Sequence, residues 1–328
     1  MTRASDLETL VRISRLYYEL GETQEAIAAT MGITRAQVSK LLKRARAQGV
    51  VEIRIVDRST RPSEVATELQ GQFGLRAVHV APTFAGSDDL TRRRVGRIAA
   101  QVLVAAVRDG MIVGIGDGSA LAATADGIDD VASPVSATVV PLCGGFWGAG
   151  GGHEPYRRIA EALTASAVGL LAPGLLDDAL TRDALAAHAG IREVTSLWER
   201  LDVAIVGIGG PAWTEALVGV DILAELEERG AIGEMLIAPF DVDGRFVAES
   251  LRARTIACDA RRLAAVPISI GVASGASKVE PILGALRTGA INVLVTDLET
   301  AERVLELTVA RHSATPSRAA TAAGGAVE

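Results

Sequence analysis

The chain has 328 residues, of which 49% are hydrophobic, 22% are charged and only 3% are aromatic, and its formal net charge is −7. This length predicts two domains, or one small module joined to a large domain, and the composition is that of a globular protein with an aliphatic core. The acidic net charge excludes a protein that coats nucleic acid along its whole surface.

Neither export nor membrane insertion is predicted. The first twenty residues mix acidic and basic side chains with apolar positions at helical spacing, unlike a signal peptide, and the most apolar windows are too short to span a bilayer. Cys143 and Cys258 lie far apart and have no partners at metal-ligand spacing, so neither a zinc site nor a disulfide is suggested. We therefore expect a cytoplasmic protein with no metal, no cofactor and no membrane partner.

Three short helices are predicted at the start of the chain. Apolar residues recur at intervals of three and four between Leu7 and Leu20. Thr23 is placed to cap a second helix that ends at Gly32, and Thr34 is placed to cap a third helix that ends at Gly49. This spacing is typical of a helix-turn-helix, whose last helix enters a DNA major groove. The alternative is a three-helix packing module with a solvated basic face.

The third of these helices carries a basic surface. Residues 34–47 contain five Lys or Arg residues and no acid, whereas residues 1–60 contain ten bases and seven acids. We expect side chains near the helix start to reach base edges or adjacent phosphates, and the later Lys and Arg residues to neutralise the DNA backbone. The predicted contacts with double-stranded DNA are made by Thr34, Arg35, Gln37, Ser39, Lys40, Lys43 and Arg44.

A domain boundary is predicted directly after this module. Residues 50–56 alternate apolar and charged side chains as a half-buried strand does, and a polar segment with a proline follows them. The predicted organisation is a DNA-binding domain at residues 1–57, a linker at 58–63, a large second domain at 64–310 and a disordered tail at 311–328.

The second domain is predicted to be α/β. Apolar runs of strand length alternate with helical stretches, a pattern typical of a parallel sheet covered on both faces. The fold class is therefore a small all-α module followed by a large, doubly wound α/β domain, which binds ligands at the carboxyl ends of its strands. The predicted strands are 77–80, 111–115, 137–142, 203–207, 267–272 and 291–295. The predicted helices are 63–73, 90–107, 156–171 and 279–288.

Three of the predicted strands end in glycines, which together favour a pocket, although each alone is also typical of a tight turn. After the strand predicted at 111–115, backbone amides and a serine hydroxyl are placed to hold an anion or hydroxyl groups. The residues concerned are Gly116, Asp117, Gly118, Ser119 and Ala120. A dinucleotide site is not predicted, because Ser119 stands where the third glycine of that fingerprint would be. The other two strand ends carry Gly144 with Gly145 and Gly207 with Gly209.

Longer stretches of the sequence resemble the SorC family of sugar-responsive bacterial transcriptional regulators, up to about Leu307. The segment LYYELGETQEAIAATMGITRAQVSKLLKRARAQGVVEIRI is similar to the family's helix-turn-helix. The segments LDVAIVGIGG, GAIGEMLIAPFDVDGR and SIGVASGASKVEPILGALRTGAINVLVTD are similar to its effector domain. The resemblance implies a fold like that of ribose-5-phosphate isomerase and glucosamine-6-phosphate deaminase, without their chemistry. It also implies a homo-oligomer, a tetramer or dimer on a partly palindromic operator, and an effector that is usually a phosphorylated sugar.

The resemblance further implies roles for individual residues. The loop from Gly116 to Ala120 would face the phosphate end of the effector, and Glu234 and Lys278 would bind its polar groups. This loop departs from the family pattern, because Ala120 lacks a hydroxyl that many members have and Asp117 places a negative charge beside a phosphate. A neutral polyol or free sugar is therefore a competing hypothesis for the effector.

More polar side chains are predicted to hold such a polyol. The Asp117 carboxylate would accept hydrogen bonds from vicinal hydroxyls, and His153, Glu154 and Tyr156 follow a glycine-rich stretch that would bring them to the same place. Asp241 completes the predicted effector-binding residues.

Two other functions stay open at this point. One is a sugar-phosphate isomerase or deaminase that carries a DNA-binding domain, with Glu234 or Asp241 as the base and Lys278 as its electrostatic partner. The sensing interpretation already uses the same residues, which favours a regulator over an enzyme. The other is a scaffold without a ligand, which leaves the repeated glycine strand ends unexplained.

Overall fold

The structure is a computed structural model that describes residues 3–51, 61–128, 134–145, 154–210 and 218–314. The chain divides into two compact units, Met1–Ser59 and Thr60–Glu328, and this division falls inside the predicted linker. Within the described ranges, no helix has both the length and the apolar character needed to cross a lipid bilayer.

The first unit is built from three short helices. Helix α1, Arg3–Ser14, continues into one turn of π-helix, Arg15–Glu19, and is followed by α2, Gln24–Met31, and α3, Arg35–Ala47. Apolar residues at helical spacing face one another, because that spacing places them on one side of each helix. They form a small core that contains Ile13, Ile27, Ala28, Val38 and Leu42. The predicted three-helix module is confirmed.

The ends of α2 and α3 follow from local side-chain chemistry. The N–H of Ala26 donates to Thr23 Oγ1 over 3.2 Å, and Gly32 adopts a φ of +64° after the last turn of α2. Thr34 and Gln37 form a capping box at the start of α3, in which the N–H of Thr34 donates to Gln37 Oε1 over 2.8 Å and the N–H of Gln37 donates to Thr34 Oγ1 over 3.2 Å. The predicted caps are confirmed.

The second unit contains two sheets and the remaining helices. Its strands are β1 Ala77–Ala81, β2 Ile112–Ile115, β3 Thr138–Pro141, β4 Ser166–Ala167, β5 Val203–Gly207, β6 Gly233–Met235, β7 Ala238–Phe240, β8 Ile268–Val272 and β9 Val293–Asp297. Its helices are α4 Arg61–Phe73, α5 Asp88–Ala106, α6 Ser119–Asp126, α7 Pro155–Leu163, α8 Ala179–Ala186, α9 Ala189–Ser196, α10 Val220–Glu228, α11 Glu249–Arg252, α12 Val279–Thr288 and α13 Leu298–Ala314.

The larger sheet is parallel and is buried on both faces. Its strand order is β1-β9-β8-β5-β2-β3-β4. Alternate residues of β5 point to opposite sides, so Val203 and Ile205 pack in one hydrophobic cluster with α5, α6 and α7, whereas Ala204 and Val206 pack in another with α4, α12 and α13. The predicted doubly wound α/β class is confirmed.

The direction in which successive strands are added to this sheet reverses between β2 and β5. From β2 the chain moves outward to β3 and β4, and from β5 it moves the other way to β8 and β9. The loops that leave neighbouring strands at such a switch point diverge, which opens a crevice at the carboxyl ends of the strands. The loops after β2, β3 and β5 are therefore placed to form a ligand site.

A short antiparallel hairpin forms the second sheet. Strands β6 and β7 pair through Met235 and Ala238, so Leu236 and Ile237 form a two-residue turn. Their φ angles are +54° and +62°, and both side chains are buried. This left-handed conformation costs about 1–3 kcal/mol for a residue with a side chain, and a β-branched isoleucine is especially unsuited to it. The surrounding structure must therefore hold the turn.

Some sequence predictions differ from the structure. The helix predicted at 156–171 was too long, because Thr164 takes a left-handed φ of +54° that ends α7 at Leu163, and β4 follows. Helix α13 continues to Ala314, four residues into the predicted tail, and the rest of that tail lies outside the described residues. The strand predicted at 50–56 also lies outside them beyond residue 51.

Candidate functional site

A cavity of about 470 Å³ lies at the carboxyl ends of β2 and β3. This volume is within the range of small-molecule sites. Its walls come from the loop after β2, the loop after β3, the start of α7 and the segment after β4. The lining residues are Ile115, Gly116, Asp117, Pro141, Cys143, Gly144, Gly145, Glu154, Pro155, Tyr156, Arg157, Leu170, Leu171, Ala172 and Pro173.

Gly144 lets two walls of the cavity approach closely. A Cβ at this position would lie 2.5 Å from the carbonyl oxygen of Ala172, so no other residue fits without moving the backbone. The two walls are joined by backbone hydrogen bonds, in which Gly145 N–H donates to the Ala172 carbonyl over 2.9 Å and Gly174 N–H donates to the Gly145 carbonyl over 2.8 Å. This part of the cavity is therefore held together by the backbone itself.

The loop after β2 presents a carboxylate to the cavity. Gly118 adopts a φ of +111° directly before α6, and its N–H donates to Asp117 Oδ1 over 2.7 Å. Amide groups at a helix N-terminus attract anions, but here the chain's own carboxylate takes the Gly118 amide. Ser119 and Ala120 begin α6 and do not line the cavity; Ser119 lies instead in a separate surface groove with Arg92, Arg93, Arg97 and Arg158.

The opposite rim holds the start of α7. The guanidinium Nε of Arg157 donates to Tyr156 Oη over 2.8 Å and lies 3.2 Å from Glu154 Oε2. The hydrogen bond to Tyr156 and the charge of Glu154 raise the pKa of Arg157 above its ordinary value, so Arg157 stays cationic. With Asp117, these side chains give the cavity two carboxylates, one guanidinium and one phenol. His153 was predicted to join them but lies outside the described residues.

Glu234 belongs to β6 and forms a second polar cluster beside the switch point. Its Oε2 accepts a hydrogen bond from the N–H of Ile237 over 3.0 Å. Its backbone pairs with Gly209, whose missing side chain makes room for the carboxylate, since a Cβ there would lie 2.8 Å from Glu234 Cδ. Burial raises the pKa of the Glu234 carboxyl, while the Ile237 N–H and the charge of Lys278 act in the opposite direction. Burial lowers the pKa of Lys278, which the Glu234 charge opposes.

The charges of Asp117 and Glu234 both act on Cys143. Burial raises the pKa of its thiol, and the charges of Asp117 and Glu234 raise it further. The side chain is therefore a neutral thiol, which is a weak nucleophile. Because both carboxylates act on this one residue of the cavity wall, Glu234 lies near the cavity without lining it.

The structure brings together only part of the predicted effector-binding set. Six predicted residues line the cavity, namely Gly116, Asp117, Gly144, Gly145, Glu154 and Tyr156. Gly207 lies beside the loop after β2, where a Cβ would contact the carbonyl of Asp117 at 3.5 Å. Asp241 lies elsewhere, because its Oδ1 accepts the N–H groups of Asp243 and Arg245 over 2.9 and 2.8 Å in the turn after β7.

Sequence reasoning missed Cys143, Arg157 and the wall at Ala172 and Pro173. Cys143 directly follows a predicted strand, and Arg157 directly follows the predicted Tyr156, so position along the chain could have found both. Nothing local marks Ala172 and Pro173. They directly follow the helix predicted at 156–171, whose second half the structure replaces by β4 and a loop.

The predicted DNA-binding residues lie along α3. Ser39, Lys40, Lys43 and Arg44 are exposed, whereas Thr34 and Gln37 are engaged in the capping box. Arg35 Nε lies 2.8 Å from Glu25 Oε1 of α2, in an exposed ion pair. An exposed pair of this kind is worth little, about 0–1 kcal/mol, so Arg35 can exchange Glu25 for another anion.

The chain is similar to several known proteins. The family model described as "Putative sugar-binding domain" matches residues 57–306. The sorbitol operon regulator of Klebsiella pneumoniae is 31% identical over 319 residues, which cover 93% of this chain and 100% of that protein. The transcriptional regulator LsrR of Escherichia coli K12 is 30% identical over 307 residues, which cover 91% and 94%. The crystal structure of full-length SorC from Klebsiella pneumoniae has a TM-score of 0.76 at 30% identity and covers 92% and 99%.

A helical N-terminal module with a basic last helix, joined to a doubly wound domain with a cavity at the carboxyl ends of β2 and β3, defines a sugar-responsive transcriptional regulator. The chain belongs to the SorC family of sugar-binding transcriptional regulators.

Proposed function

We propose that this protein binds operator DNA through α3 and that a small sugar-like effector in the cavity at the carboxyl ends of β2 and β3 controls this binding. The regulated genes form a carbohydrate catabolic operon. The protein acts in the cytoplasm, where its operator is, as a homotetramer or homodimer on a partly palindromic site. The observation that carries the proposal is the cavity at the carboxyl ends of β2 and β3 in a chain whose first unit presents a basic helix.

Exposed cationic residues on α3 support the DNA-binding part. Lys40 and Lys43 are exposed on a helix that contains no acidic residue. Lysines of this kind neutralise phosphates and release counterions, so they give affinity without sequence choice. Base readout then falls to Arg35 and Ser39 near the helix start, and to the Gln37 amide group that the capping box leaves facing outward. Thr34 contributes by fixing the helix start.

The chemistry of the cavity favours an uncharged polyol or free sugar. Among the described residues that line it, the charged groups are two carboxylates, Asp117 and Glu154, and one guanidinium that is already engaged with Glu154 and Tyr156. Carboxylates accept hydrogen bonds from hydroxyl groups but repel a phosphate dianion. A phosphorylated sugar is the alternative ligand of the same cavity.

We propose binding without turnover. Asp241, one candidate base, is engaged with two backbone N–H groups in a turn outside the cavity, and Glu234, the other, accepts the N–H of Ile237. The thiol of Cys143 is held neutral by burial. Both candidate bases thus lie outside the cavity lining and are engaged with backbone N–H groups, and the cavity thiol is a poor nucleophile, which favours binding over turnover.

A thermal-shift screen tests the ligand. A ligand that binds only the folded protein raises its melting temperature, by an amount that grows with concentration. The probes are D-glucitol, D-fructose and ribose together with the phosphate esters of each. We expect a neutral sugar or polyol to raise the melting temperature of the second unit more than its own phosphate ester. Stabilisation by the esters alone would replace the polyol with a phosphorylated effector, and turnover of a bound probe would replace the regulator with an enzyme.

A further inference from the structure

The left-handed turn Leu236–Ile237 supports two walls of the cavity. Leu236 Cδ2 lies 3.4 Å from the place that a Cβ of Gly116 would occupy, and Ile237 Cδ1 lies 3.2 Å from the corresponding place at Gly174. Gly116 lines the cavity, and Gly174 directly follows the Ala172–Pro173 wall. Both turn side chains are buried. A shift of this turn therefore moves two cavity walls together.

The backbone conformation of the turn is unfavourable by itself, and the side chain of Glu234 bonds to it. Neither Leu nor Ile suits a positive φ, and hairpin turns of this type normally contain Asn and Gly. Glu234 Oε2 accepts the N–H of Ile237, which lies inside the turn, and the Glu234 backbone is bonded to Gly209 in both directions. Glu234 is thus bonded to the end of β5 through its backbone and to the turn through its carboxylate.

We propose that Glu234 is a positioning residue for the effector cavity. Its carboxylate clamps the Leu236–Ile237 turn against the loops at Gly116 and Gly174. Gly209 is part of the clamp because any side chain there would displace the carboxylate. The charge of the nearby Lys278 opposes the rise in the Glu234 pKa that burial causes, and Oε2 can accept the Ile237 N–H in both protonation states of the carboxyl. This inference deepens the proposed function and rests on it only where it speaks of an effector.

Hydrogen exchange of the ligand-free, full-length protein tests the clamp. The reporter amides are those of Gly116, bonded to the Ile205 carbonyl, and Gly174, bonded to the Gly145 carbonyl. In Glu234→Ala, we expect both amides and the hairpin amides to exchange at least tenfold faster. Glu234→Gln keeps a carbonyl oxygen that can accept the Ile237 N–H, so its reporter amides should exchange within about twofold of the natural protein.

A matched control separates local positioning from general loss of stability. Asp202 Oδ2 also accepts a backbone N–H, that of Ile112, over 2.8 Å, but it does so at the amino end of the sheet. In Asp202→Ala, we expect faster exchange at Ile112 and unchanged exchange at Gly116 and Gly174. Unchanged reporter amides in Glu234→Ala would overturn the proposal, and so would an equal acceleration in Glu234→Gln.

Gly209→Ala provides a second route if Glu234→Ala does not fold. The added methyl group displaces the carboxylate, so the reporter amides should accelerate as in Glu234→Ala. A Gly209→Ala protein with natural exchange at both amides contradicts the clamp. Because these readouts need no ligand, the proposal stands or fails independently of the sugar screen. Once a probe is known, its affinity should fall at least tenfold in Glu234→Ala and recover in Glu234→Gln.

Discussion

The Asp117 carboxylate accepts a hydrogen bond from the backbone N–H of Gly118 over 2.7 Å, at the start of α6. The chain thus places its own negative charge where a helix N-terminus would attract a phosphate. A ligand beside this loop would therefore meet a negative charge. The proposed charge preference of the cavity rests on this carboxylate.

Asp117→Asn should shift that preference toward phosphorylated ligands. The substitution keeps an oxygen that can accept the Gly118 N–H and removes the charge that repels phosphate. We expect the affinity ratio of D-glucitol 6-phosphate to D-glucitol to rise at least tenfold, measured by isothermal titration. Asp126→Asn, at the other end of α6, is the control and should leave the ratio unchanged. An unchanged ratio in Asp117→Asn would remove Asp117 from effector selection.

Lys43→Ala should weaken DNA binding equally for all sequences. Lys43 is exposed on α3, and a lysine that contacts a phosphate adds about 0.9 to the slope of log affinity against log salt concentration. We expect the slope to fall by about that amount, measured by fluorescence anisotropy on duplexes of related and unrelated sequence. Lys278→Ala, in the second unit, should keep the natural slope. A Lys43→Ala protein with the natural slope would show that α3 does not lie on the DNA backbone.

Gly144→Ala should damage the cavity whereas Gly145→Ala should not destabilise the fold. A methyl group at residue 144 would lie 2.5 Å from the Ala172 carbonyl oxygen, but at residue 145 it would meet nothing within 4 Å. Overpacking of this kind costs about 1–3 kcal/mol. We expect the free energy of unfolding of the second unit to fall by that amount in Gly144→Ala alone, measured by urea denaturation. Equal stability of both variants would mean that the two walls separate easily.

The stability of the second unit should depend on pH through Glu234. Because burial raises the pKa of this carboxyl in the folded state, the folded protein binds the proton more tightly than the unfolded chain. The resulting stability is complete below the ordinary pKa of 4.5 and is lost as the pH rises through the raised folded value. Relative to Glu234→Gln, the natural protein should therefore lose stability as the pH rises above 4.5 and passes through the raised pKa of Glu234.

Urea unfolding at several pH values measures this difference. All three tryptophans lie in the second unit, so their fluorescence follows its unfolding within the full chain. A difference between the two proteins that does not change with pH, or that changes in the opposite direction, would contradict the raised pKa.

Local chemistry made the first unit largely predictable from the sequence. Thr23, Gly32 and Thr34 mark helix ends by their own side chains or by the lack of one, and the structure uses all three in that way. The alternation of apolar strands and helices likewise predicted the parallel sheet, since strands buried on both faces are mainly apolar.

The remaining features depend on contacts between distant parts of the chain. Gly144 matters because of Ala172, and Gly209 matters because of Glu234, and neither pairing leaves a local signal. The apolar pattern that continues past Leu163 predicted more helix, but Thr164 takes a left-handed conformation that no propensity marks. The Leu236–Ile237 turn goes against local preference, so only its tertiary surroundings explain it.

The most direct test of a regulator gated by its cavity is the affinity of the full-length protein for DNA from upstream of its own gene. Fluorescence anisotropy across a salt series should show binding that weakens steeply with salt. A sugar or polyol that stabilises the second unit should change that affinity by about 5- to 150-fold, the usual range of coupling between two sites. If no upstream fragment binds in a salt-sensitive way, with or without any of these ligands, the account is contradicted.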